Sequence, residues 1–246
     1  MSFYRSSLNL GFLNQIFRKT FLYRYICSFL QRRHTRKLAL LKQYFWEENV
    51  EVLQLFSTAL NEAGIVFWLE FGTLLGYYRE NDFIAHDCDI DTGTFIENSP
   101  VVYRILTKAG FKLVREYHVI DDGGLEQCYQ YKHTTIDVFY FRKDKNRLYC
   151  NSFLPIKNMT YFWNLYVKRP FLVKRIEVPD TGYRKVQFKG AEVYIPNDCD
   201  LYLRTHYGDS YMVPNPKYDG KKDSTNIIYY EYEQKPGYGI LKKPYV

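Results

Sequence analysis

The sequence predicts an α/β or α+β domain, in which a mixed sheet is flanked by helices, preceded by a basic helical arm. Helical and strand patterns alternate along the chain, which is typical of such folds. Of the 246 residues, 46% are hydrophobic, and 25 Tyr and 18 Phe are present. These aromatic residues favour a sheet with aromatic packing over a helical bundle. The chain is also long enough to bury a sizeable core.

Basic residues are concentrated in the N-terminal arm, residues 1–33, and just after it. The formal net charge is +7, and Met1–Gln43 carries nine Lys or Arg and no acid, so the remaining residues sum to 7 − 9 = −2. Arg18, Lys19 and Arg24 interrupt the apolar run, which is therefore too short to predict a transmembrane span. The pattern does not match a secretory signal peptide either.

Two interpretations of this arm stay open. A helix rich in aromatic and basic residues packs on the body of the protein with its basic side in solvent, or it lies on an anionic membrane surface. The second interpretation makes peripheral membrane contact a candidate partner. Nucleic acid is not an expected partner, because no RNA- or DNA-binding signature accompanies the charge.

The five cysteines are widely spaced, odd in number and without a CxxC pair. This pattern argues against a zinc site and against a disulfide framework. We therefore expect a reducing, cytoplasmic setting, with peripheral attachment to the inner membrane face as the alternative if the arm binds lipid.

A catalytic domain is predicted over residues 34–218, and its first half alternates between helix and strand. Apolar residues recur at three- and four-residue intervals over 34–63 and predict a helix. The other elements predicted in this half are a strand over Ile65–Glu70, a helix from Gly72 through Arg79, an acidic strand over Cys88–Thr92 and a helix over Pro100–Ala109.

In the second half of that domain, most of the predicted elements are strands. Strands are predicted over Lys112–Tyr117, Gln127–Lys132 and Ile136–Phe141, and a helix from Cys199 that ends at Gly208. Prolines and a polar run make residues 219–246 an irregular tail in this prediction.

The acids Asp87, Asp89 and Asp91 alternate along the chain. Successive strand side chains point to opposite faces, so these three project together. Like charges crowded in this way repel each other. A cluster of carboxylates of this kind is usually explained by a divalent cation that neutralises them. Hard oxygen ligands suit Mg²⁺, Mn²⁺ or Ca²⁺ rather than zinc. Asp137 lies inside the apolar run IDVFYF, and a shared metal would supply the partner that a buried acid needs.

A calcium loop of the EF-hand type does not fit these acids. Such a loop has a glycine at its sixth position and a glutamate at its twelfth. With Asp87 as the first position, Thr92 and Asn98 occupy those places. A site for Mg²⁺ or Mn²⁺ is therefore the stronger prediction.

An anion-binding turn is predicted immediately before the acids. If Gly72 and Thr73 lie where a strand gives way to a helix, the unpaired backbone N–H groups and the Thr73 hydroxyl face an anion. Arg79, about two turns later, would add a charge-assisted contact to a diphosphate. The alternative interpretations are a tight turn for the glycine and an ordinary salt bridge for Arg79.

Four segments together resemble one known family. They are WLEFGTLLGYYR, HDCDID, IDVFYF and IPNDCDLYLRTHYGDSYMVPNP, and they extend over roughly residues 60–218. In this order and spacing they resemble the LicD and fukutin family of phosphotransferases. The resemblance implies a nucleotidyltransferase-like fold and the transfer of an alcohol phosphate from a CDP-linked donor to a hydroxyl of a glycan acceptor.

Together, the residues and the resemblance give each candidate a role. Asp89, Asp91 and Asp137 are predicted metal ligands, and Asp137 or Asp87 is the predicted general base. Gly72, Thr73 and Arg79 are predicted to hold the donor diphosphate. Two other functions stay open: a nucleotidyltransferase that releases pyrophosphate, and a non-catalytic glycan- or nucleotide-binding protein on the same fold.

Overall fold

The computed structural model describes residues 21–120, 123–155, 168–215, 218, 223–230 and 236–241. The chain divides into two compact units, Met1–Gln43 and Tyr44–Val246. This division lies after the predicted end of the arm at residue 33 and falls within a continuous helix. The first twenty positions of the predicted arm lie outside the described residues.

The long helix α1 spans Phe21–Glu62, so the helix predicted from residue 34 is continuous with the described part of the predicted helical arm. Within the second unit, its apolar residues recur at the predicted three- and four-residue intervals. The fully buried ones are Phe45, Val52, Leu53, Phe56 and Leu60. Within the first unit, Tyr25 and Phe29 are exposed. None of the described helices is long and apolar enough to cross a membrane.

Up to Asp144 the remaining elements follow the predicted alternation with shifts of a few residues, and so does the last helix; no bounds were predicted for the strands between them. In chain order the elements are β1 (Phe67–Leu69), α2 (Phe71–Glu80), β2 (Asp89–Phe95), a 3-10 turn (Ile96–Asn98), α3 (Ser99–Lys108), β3 (Lys112–Val119), β4 (Leu125–Tyr131), β5 (Thr134–Asp144), β6 (Arg147–Pro155), β7 (Lys168–Pro179), β8 (Tyr183–Phe188), β9 (Ala191–Pro196), α4 (Cys199–Tyr207), β10 (Ile227–Tyr229) and β11 (Pro236–Leu241).

The described strands form one mixed sheet, which confirms the predicted fold class. Its order is β10-β7-β11-β3-β4-β5-β2-β1-β9-β8, and β6 pairs with both β5 and β7. At its centre β2 runs parallel to β5 and antiparallel to β1, while β4 and β5 are antiparallel. Large aromatic side chains fill the core around these strands, as the composition predicts, and Trp68, Tyr129, Tyr140 and Phe141 are all buried.

The predicted irregular tail over residues 219–246 needs correction. Strand β10 pairs with β7, and β11 pairs with both β3 and β7, so part of this segment belongs to the sheet. The glycines of β11 allow this close packing: a Cβ at Gly239 would lie 2.7 Å from the rings of Tyr117 and Phe171. Strand formation here depends on distant partners, which local sequence does not reveal.

Candidate functional site

The site begins where β1 gives way to α2, and a buried acid controls this junction. Glu70 caps α2 by accepting a hydrogen bond from the Phe71 backbone N–H at 3.3 Å. Its other oxygen accepts from Trp68 Nε1 at 2.6 Å and from the Tyr202 hydroxyl. Burial raises the pKa of Glu70 to about 7, although these three donors oppose the shift. The junction is therefore held by a fully hydrogen-bonded carboxyl group.

Gly72 is in the first turn of α2 and lies directly against the predicted acids. A Cβ at this position would be 2.7 Å from Asp87 Oδ2 and 3.5 Å from Asp91 Oδ2. The shorter distance is below any ordinary contact for a carbon atom, so only glycine fits without a shift. The start of the helix, which favours negative charge, thus faces carboxylate oxygens. Contact between this turn and a substrate phosphate stays a prediction.

Thr73 connects α2 to the acidic strand β2. The residue is buried, and its Oγ1 accepts a hydrogen bond from the Asp91 backbone N–H at 2.9 Å. The Glu70 backbone N–H donates to the Asp91 carbonyl at 3.0 Å, so both backbone polar groups of Asp91 are bound by this junction. Thr73 therefore fixes the position of Asp91, and its predicted contact with an anion is not tested by this geometry.

Asp91 and Asp137 lie directly opposite each other on the parallel strands β2 and β5. Paired residues on neighbouring strands share a face, with the strands about 4.8 Å apart. Asp89 is two residues before Asp91 on the same face. The Thr92 hydroxyl donates to the Asp137 carbonyl at 2.9 Å and ties the two strands together. The structure thus brings the three predicted metal ligands together.

The electrostatics of these acids confirm that they are crowded. Burial raises the pKa of Asp91 well above its usual range, and the nearby Asp89, Asp137, Asp87 and Glu70 raise it further. Burial, Asp137 and Asp87 likewise raise the pKa of Asp89. For Asp87, burial raises the pKa to about 6. Each carboxylate is therefore costly to ionise beside the others, as expected for a centre that needs a positive partner.

The donor set fits a hard divalent cation in its chemistry. The Oδ1 atom of Asp137 is buried and has no hydrogen-bond partner, which is unusual for a carboxylate and marks a place for an ion or a ligand. Within the described part of the chain, however, no three His, Cys, Asp or Glu side chains are already arranged as a metal cage. The metal assignment of Asp89, Asp91 and Asp137 accordingly stays a prediction.

Arg79 lies on α2 and makes the salt bridge that was the alternative interpretation. Its Nη2 is 2.5 Å from Glu80 Oε1, and its Nη1 donates to the Tyr211 carbonyl at 3.5 Å. The side chain lines a cavity of about 270 Å³ together with Ala85, His86 and Tyr207, among others. Its predicted contact with a diphosphate stays open.

Three polar residues beside the acids were not predicted as site residues. Glu126 and Cys128 on β4 and Arg115 on β3 are all close enough to influence the pKa of their neighbours at the centre. Burial and, to a smaller extent, Asp137 raise the pKa of Glu126 to about 8, although Arg115 and Lys174 oppose the shift. Glu126 lies in LEQCYQY, a segment that also contains two glutamines, so the local sequence gives no signal of a buried acid at this position.

A family model described as LicD/FKTN/FKRP, nucleotidyltransferase domain, matches residues 64–198. This range includes β1, α2, the acidic strand β2 and Asp137 on β5. The chain belongs to this family. The family resemblance predicted from the four sequence segments is thereby confirmed, and so is the assignment to a nucleotidyltransferase domain.

Several curated relatives of this LicD-family chain are known from sequence. Ribitol-5-phosphate transferase FKTN of Mus musculus is 26% identical over 211 residues, which is 81% of this chain and 43% of that protein. Ribitol 5-phosphate transferase FKRP of Mus musculus is 24% identical over 165 residues, which is 65% of this chain and 31% of that protein. Uncharacterized protein RP689 of Rickettsia prowazekii is 30% identical over 149 residues, covering 60% and 49%. The LicD-family chain thus spans less than half the length of each of these relatives.

Among solved structures, ANT(2″)-Ia in complex with adenylyl-2″-tobramycin is similar to the LicD-family chain with a TM-score of 0.42 and 12% sequence identity. The match covers 70% of this chain and 82% of that one.

Proposed function

We propose that this LicD-family protein transfers an alcohol phosphate from a CDP-linked donor to a sugar hydroxyl of a polysaccharide or glycoconjugate. Phosphocholine, glycerol phosphate and ribitol phosphate are the candidate groups. The observation that carries the proposal is the crowding of Asp89, Asp91 and Asp137 on adjacent strands, inside the range that matches the family model. The relatives FKTN and FKRP are ribitol-phosphate transferases, which makes ribitol phosphate the first group to test.

In the proposed reaction the acceptor hydroxyl oxygen attacks the phosphorus atom that carries the alcohol. A new bond forms between that oxygen and phosphorus, and the bond from phosphorus to the bridging oxygen of the diphosphate breaks. CMP leaves with the bridging oxygen and its electron pair. The proton of the acceptor hydroxyl passes to a carboxylate, for which Asp137 and Asp87 are the candidates.

The side chains at the site would divide this work. Asp89, Asp91 and Asp137 would hold Mg²⁺ or Mn²⁺, while Glu70 and Thr73 keep the start of α2 and the backbone of Asp91 in place. When bound, such a cation supplies positive charge to the donor phosphates and to the leaving group. The first turn of α2 and Arg79 would contribute further attraction for the diphosphate.

The test is an incubation of the purified protein with CDP-ribitol, CDP-glycerol or CDP-choline, Mn²⁺ or Mg²⁺, and a panel of oligosaccharide acceptors. We expect release of CMP and an acceptor whose mass increases by the alcohol phosphate. Chelation of the cation by EDTA should abolish both signals. Asp91→Asn should behave like the chelated protein, whereas Asp144→Asn, an exposed acid on β5, should retain activity.

Parallel incubations with CTP or ATP distinguish the other functions. Pyrophosphate release together with a nucleotide-modified acceptor would replace the proposal with nucleotidyl transfer. If CMP, pyrophosphate and a modified acceptor are all undetectable while the protein binds nucleotide, a non-catalytic binding protein is the better description. CMP release that depends on Asp91 supports the proposed function.

For the N-terminal arm we propose peripheral contact with an anionic membrane. Supporting features are the nine basic residues without an acid in Met1–Gln43 and the exposed aromatic side chains of Tyr25 and Phe29. Aromatic and basic side chains on one helix suit the boundary between lipid headgroups and acyl chains. Such contact would keep the proposed enzyme near lipid-linked acceptors at the inner membrane face.

A further inference from the structure

The two carboxylate oxygens of Asp137 differ in their surroundings. Oδ1 is buried and accepts no hydrogen bond from the residues that the structure describes. A cation would satisfy this oxygen, because a buried carboxylate oxygen needs a donor or a positive charge beside it. The other oxygen, Oδ2, is therefore the one through which the protein can hold the carboxylate and orient Oδ1.

Cys128 lies beside Asp137 in the sheet. Strands β4 and β5 are antiparallel, and Cys128 pairs directly with Asp137. Residues paired in this way project from the same face, with their Cβ atoms about 4.5–5.5 Å apart. On the other side of β5, Asp137 pairs with Asp91. Asp137 is thus flanked by a thiol on one side and by a second carboxylate on the other.

Arg115 on β3 reaches the sulfur of Cys128 from the side opposite to Asp137. Leu113 pairs with Tyr129, but the register then shifts, and Arg115 instead of Val114 pairs with Cys128. The Nη2 atom of Arg115 donates a hydrogen bond to Cys128 Sγ at 3.2 Å. Because the sulfur accepts this bond from the β3 side, its own proton is left for a partner on the β5 side.

That partner is the Asp137 carboxylate, which forms a hydrogen bond with the Cys128 side chain. Burial raises the pKa of Asp137, while Arg115 and this bond oppose the rise, as expected for a thiol that donates to a carboxylate. Oδ1 has no partner within the described part of the chain, so the acceptor is Oδ2. Burial and Asp137 raise the pKa of the Cys128 thiol well above its usual range, and the sulfur therefore keeps its proton.

We propose that Cys128 is a positioning residue for the metal site: its thiol holds Oδ2 of Asp137, so that Oδ1 stays turned toward the bound cation. This inference rests on the proposed function, which supplies the cation, and adds to it a residue that is not itself a ligand. Groups that hydrogen-bond to a ligating carboxylate fix its orientation, and their loss typically weakens metal binding about 10- to 100-fold.

A thiol suits this role because it is small and a weak donor. It can fix the orientation of the carboxylate while neutralising little of the negative charge that attracts the cation. A charged donor in its place would form a stronger bond and would compete with the cation for that charge. An aliphatic side chain would leave Oδ2 without this donor.

The test measures the Mn²⁺ affinity of the protein by electron paramagnetic resonance, with neither donor nor acceptor present. Cys128→Ala should raise the Kd for Mn²⁺ about 10- to 100-fold. Cys128→Val also lacks a donor but leaves a smaller cavity, and it should show a loss of the same size. Cys128→Ser keeps an O–H donor and should recover most of the affinity.

The matched control is Cys199→Ala. Cys199 is also buried, and its Sγ donates to the Pro196 carbonyl at 3.1 Å rather than to a carboxylate. This variant should bind Mn²⁺ like the wild type. Urea unfolding identifies the variants that are folded. A cysteine that serves only in packing would affect stability without changing the Mn²⁺ affinity of the folded protein.

A second measurement uses the wild type and does not depend on whether a variant folds. In crystals soaked in Mn²⁺, the anomalous signal of the ion should lie at Oδ1 of Asp137, with Cys128 Sγ within hydrogen-bonding distance of Oδ2. An ion bound at Oδ2 instead, or a thiol turned away from Asp137, would overturn the inference. Wild-type Mn²⁺ affinity in folded Cys128→Ala or Cys128→Val would do the same. If the wild type binds neither Mn²⁺ nor Mg²⁺, the proposed metal-dependent function fails as well, so the two failures are distinguishable.

Discussion

Asp137 is the residue at which packing and proposed chemistry conflict most directly. Its Oδ1 is buried without a hydrogen-bond partner, and Asp91 lies opposite it. This oxygen does not improve the stability of the fold, because a buried carboxylate oxygen without a hydrogen bond is unfavourable. An aspartate at this position is better explained by the binding of a ligand than by a contribution to folding.

We expect Asp137→Asn to lower kcat/KM for CMP release at least about 100-fold, which is the smallest effect expected for a lost base or metal ligand. Its free energy of unfolding in urea should be unchanged or higher, because one acid leaves a repelling cluster. Asp144→Asn on the same strand is the control and should keep both properties. An inactive but destabilised Asp137→Asn protein would contradict this separation of roles.

Gly72 gives a second prediction at the residue scale. Gly72→Ala should lower the free energy of unfolding by about 1–3 kcal/mol, because the added methyl group collides with the Asp87 carboxylate. Asp87→Ala in the same chain should restore most of this loss, since it removes the colliding atoms. Urea unfolding of both single variants and of the double variant measures the coupling between the two positions. Additive effects would show that the collision is not the cause.

For single residues, the sequence predicts the acids of the candidate site better than it predicts the residues that surround them. The alternation of Asp87, Asp89 and Asp91 indicates a shared face, and a lone acid in IDVFYF identifies Asp137. Arg115 could not be predicted, because its place depends on a register shift that no residue of β3 signals. The buried capping role of Glu70 also depends on Trp68 and Tyr202, and the latter is distant in sequence.

Among the secondary-structure elements, the contact between α2 and β2 depends on one hydroxyl group. Thr73→Val should lower the free energy of unfolding by about 1–3 kcal/mol, since it leaves the Asp91 backbone N–H without its acceptor. Thr73→Ser keeps the oxygen and should retain most of the stability. Chemical denaturation of the two variants tests this, and hydrogen exchange at the Asp91 amide should increase in Thr73→Val only. Equal stabilities for the valine and serine variants would argue against the bond.

Helix α4 carries a buried histidine with a predictable pH effect. Burial lowers the pKa of His206 from 6.5 to about 4, although Asn226 hydrogen-bonds its ring. At His206 the unfolded chain thus binds more protons between pH 4 and 6.5, so the contribution of this residue to stability rises with pH in that window. The contribution of His206 to the free energy of unfolding increases by about 3 kcal/mol across this pH window.

His206→Gln should remove this rise, measured as the free energy of unfolding at several pH values. Glu70 acts in the opposite direction, because its pKa is raised to about 7 and its contribution is lost as pH increases from about 4.5 to 7. Glu70→Gln should therefore remove a contribution that falls with pH, so the stability of this variant should fall less between pH 4.5 and 7 than that of the wild type. Parallel curves for the wild type and His206→Gln would mean that His206 is not buried in its neutral form.

Elements were predicted well where local periodicity is clear, as for α2, α3 and α4. Helix before residue 34 was predicted as a separate arm, but its continuity with the following helix in α1 was not predicted. Strands β10 and β11 were missed for a different reason: their pairing with β3 and β7 is formed over long sequence distances. Local propensity does not determine such strands.

For the whole molecule, the uneven distribution of charge makes membrane binding testable. Replacing Arg32, Arg33 and Arg36 by glutamine should weaken binding to vesicles that contain phosphatidylserine by about 100-fold, since each basic residue near such a surface contributes about 1 kcal/mol. Cosedimentation measures the effect, and high salt should reduce wild-type binding as well. Replacing Arg104, Lys108 and Lys112, exposed basic residues outside the arm, is the matched control. Binding that persists in the arm variant would remove the arm from this role.

The parallel pairing of β2 with β5 also has a consequence during synthesis. The chain between these strands forms α3, β3 and β4, so the second strand of the pair leaves the ribosome long after the first. Until it does, the nascent chain exposes a run of alternating acids with no neighbour opposite them. Under the proposed metal site, ion affinity in a translating polypeptide should consequently appear late and abruptly, once this crossover closes.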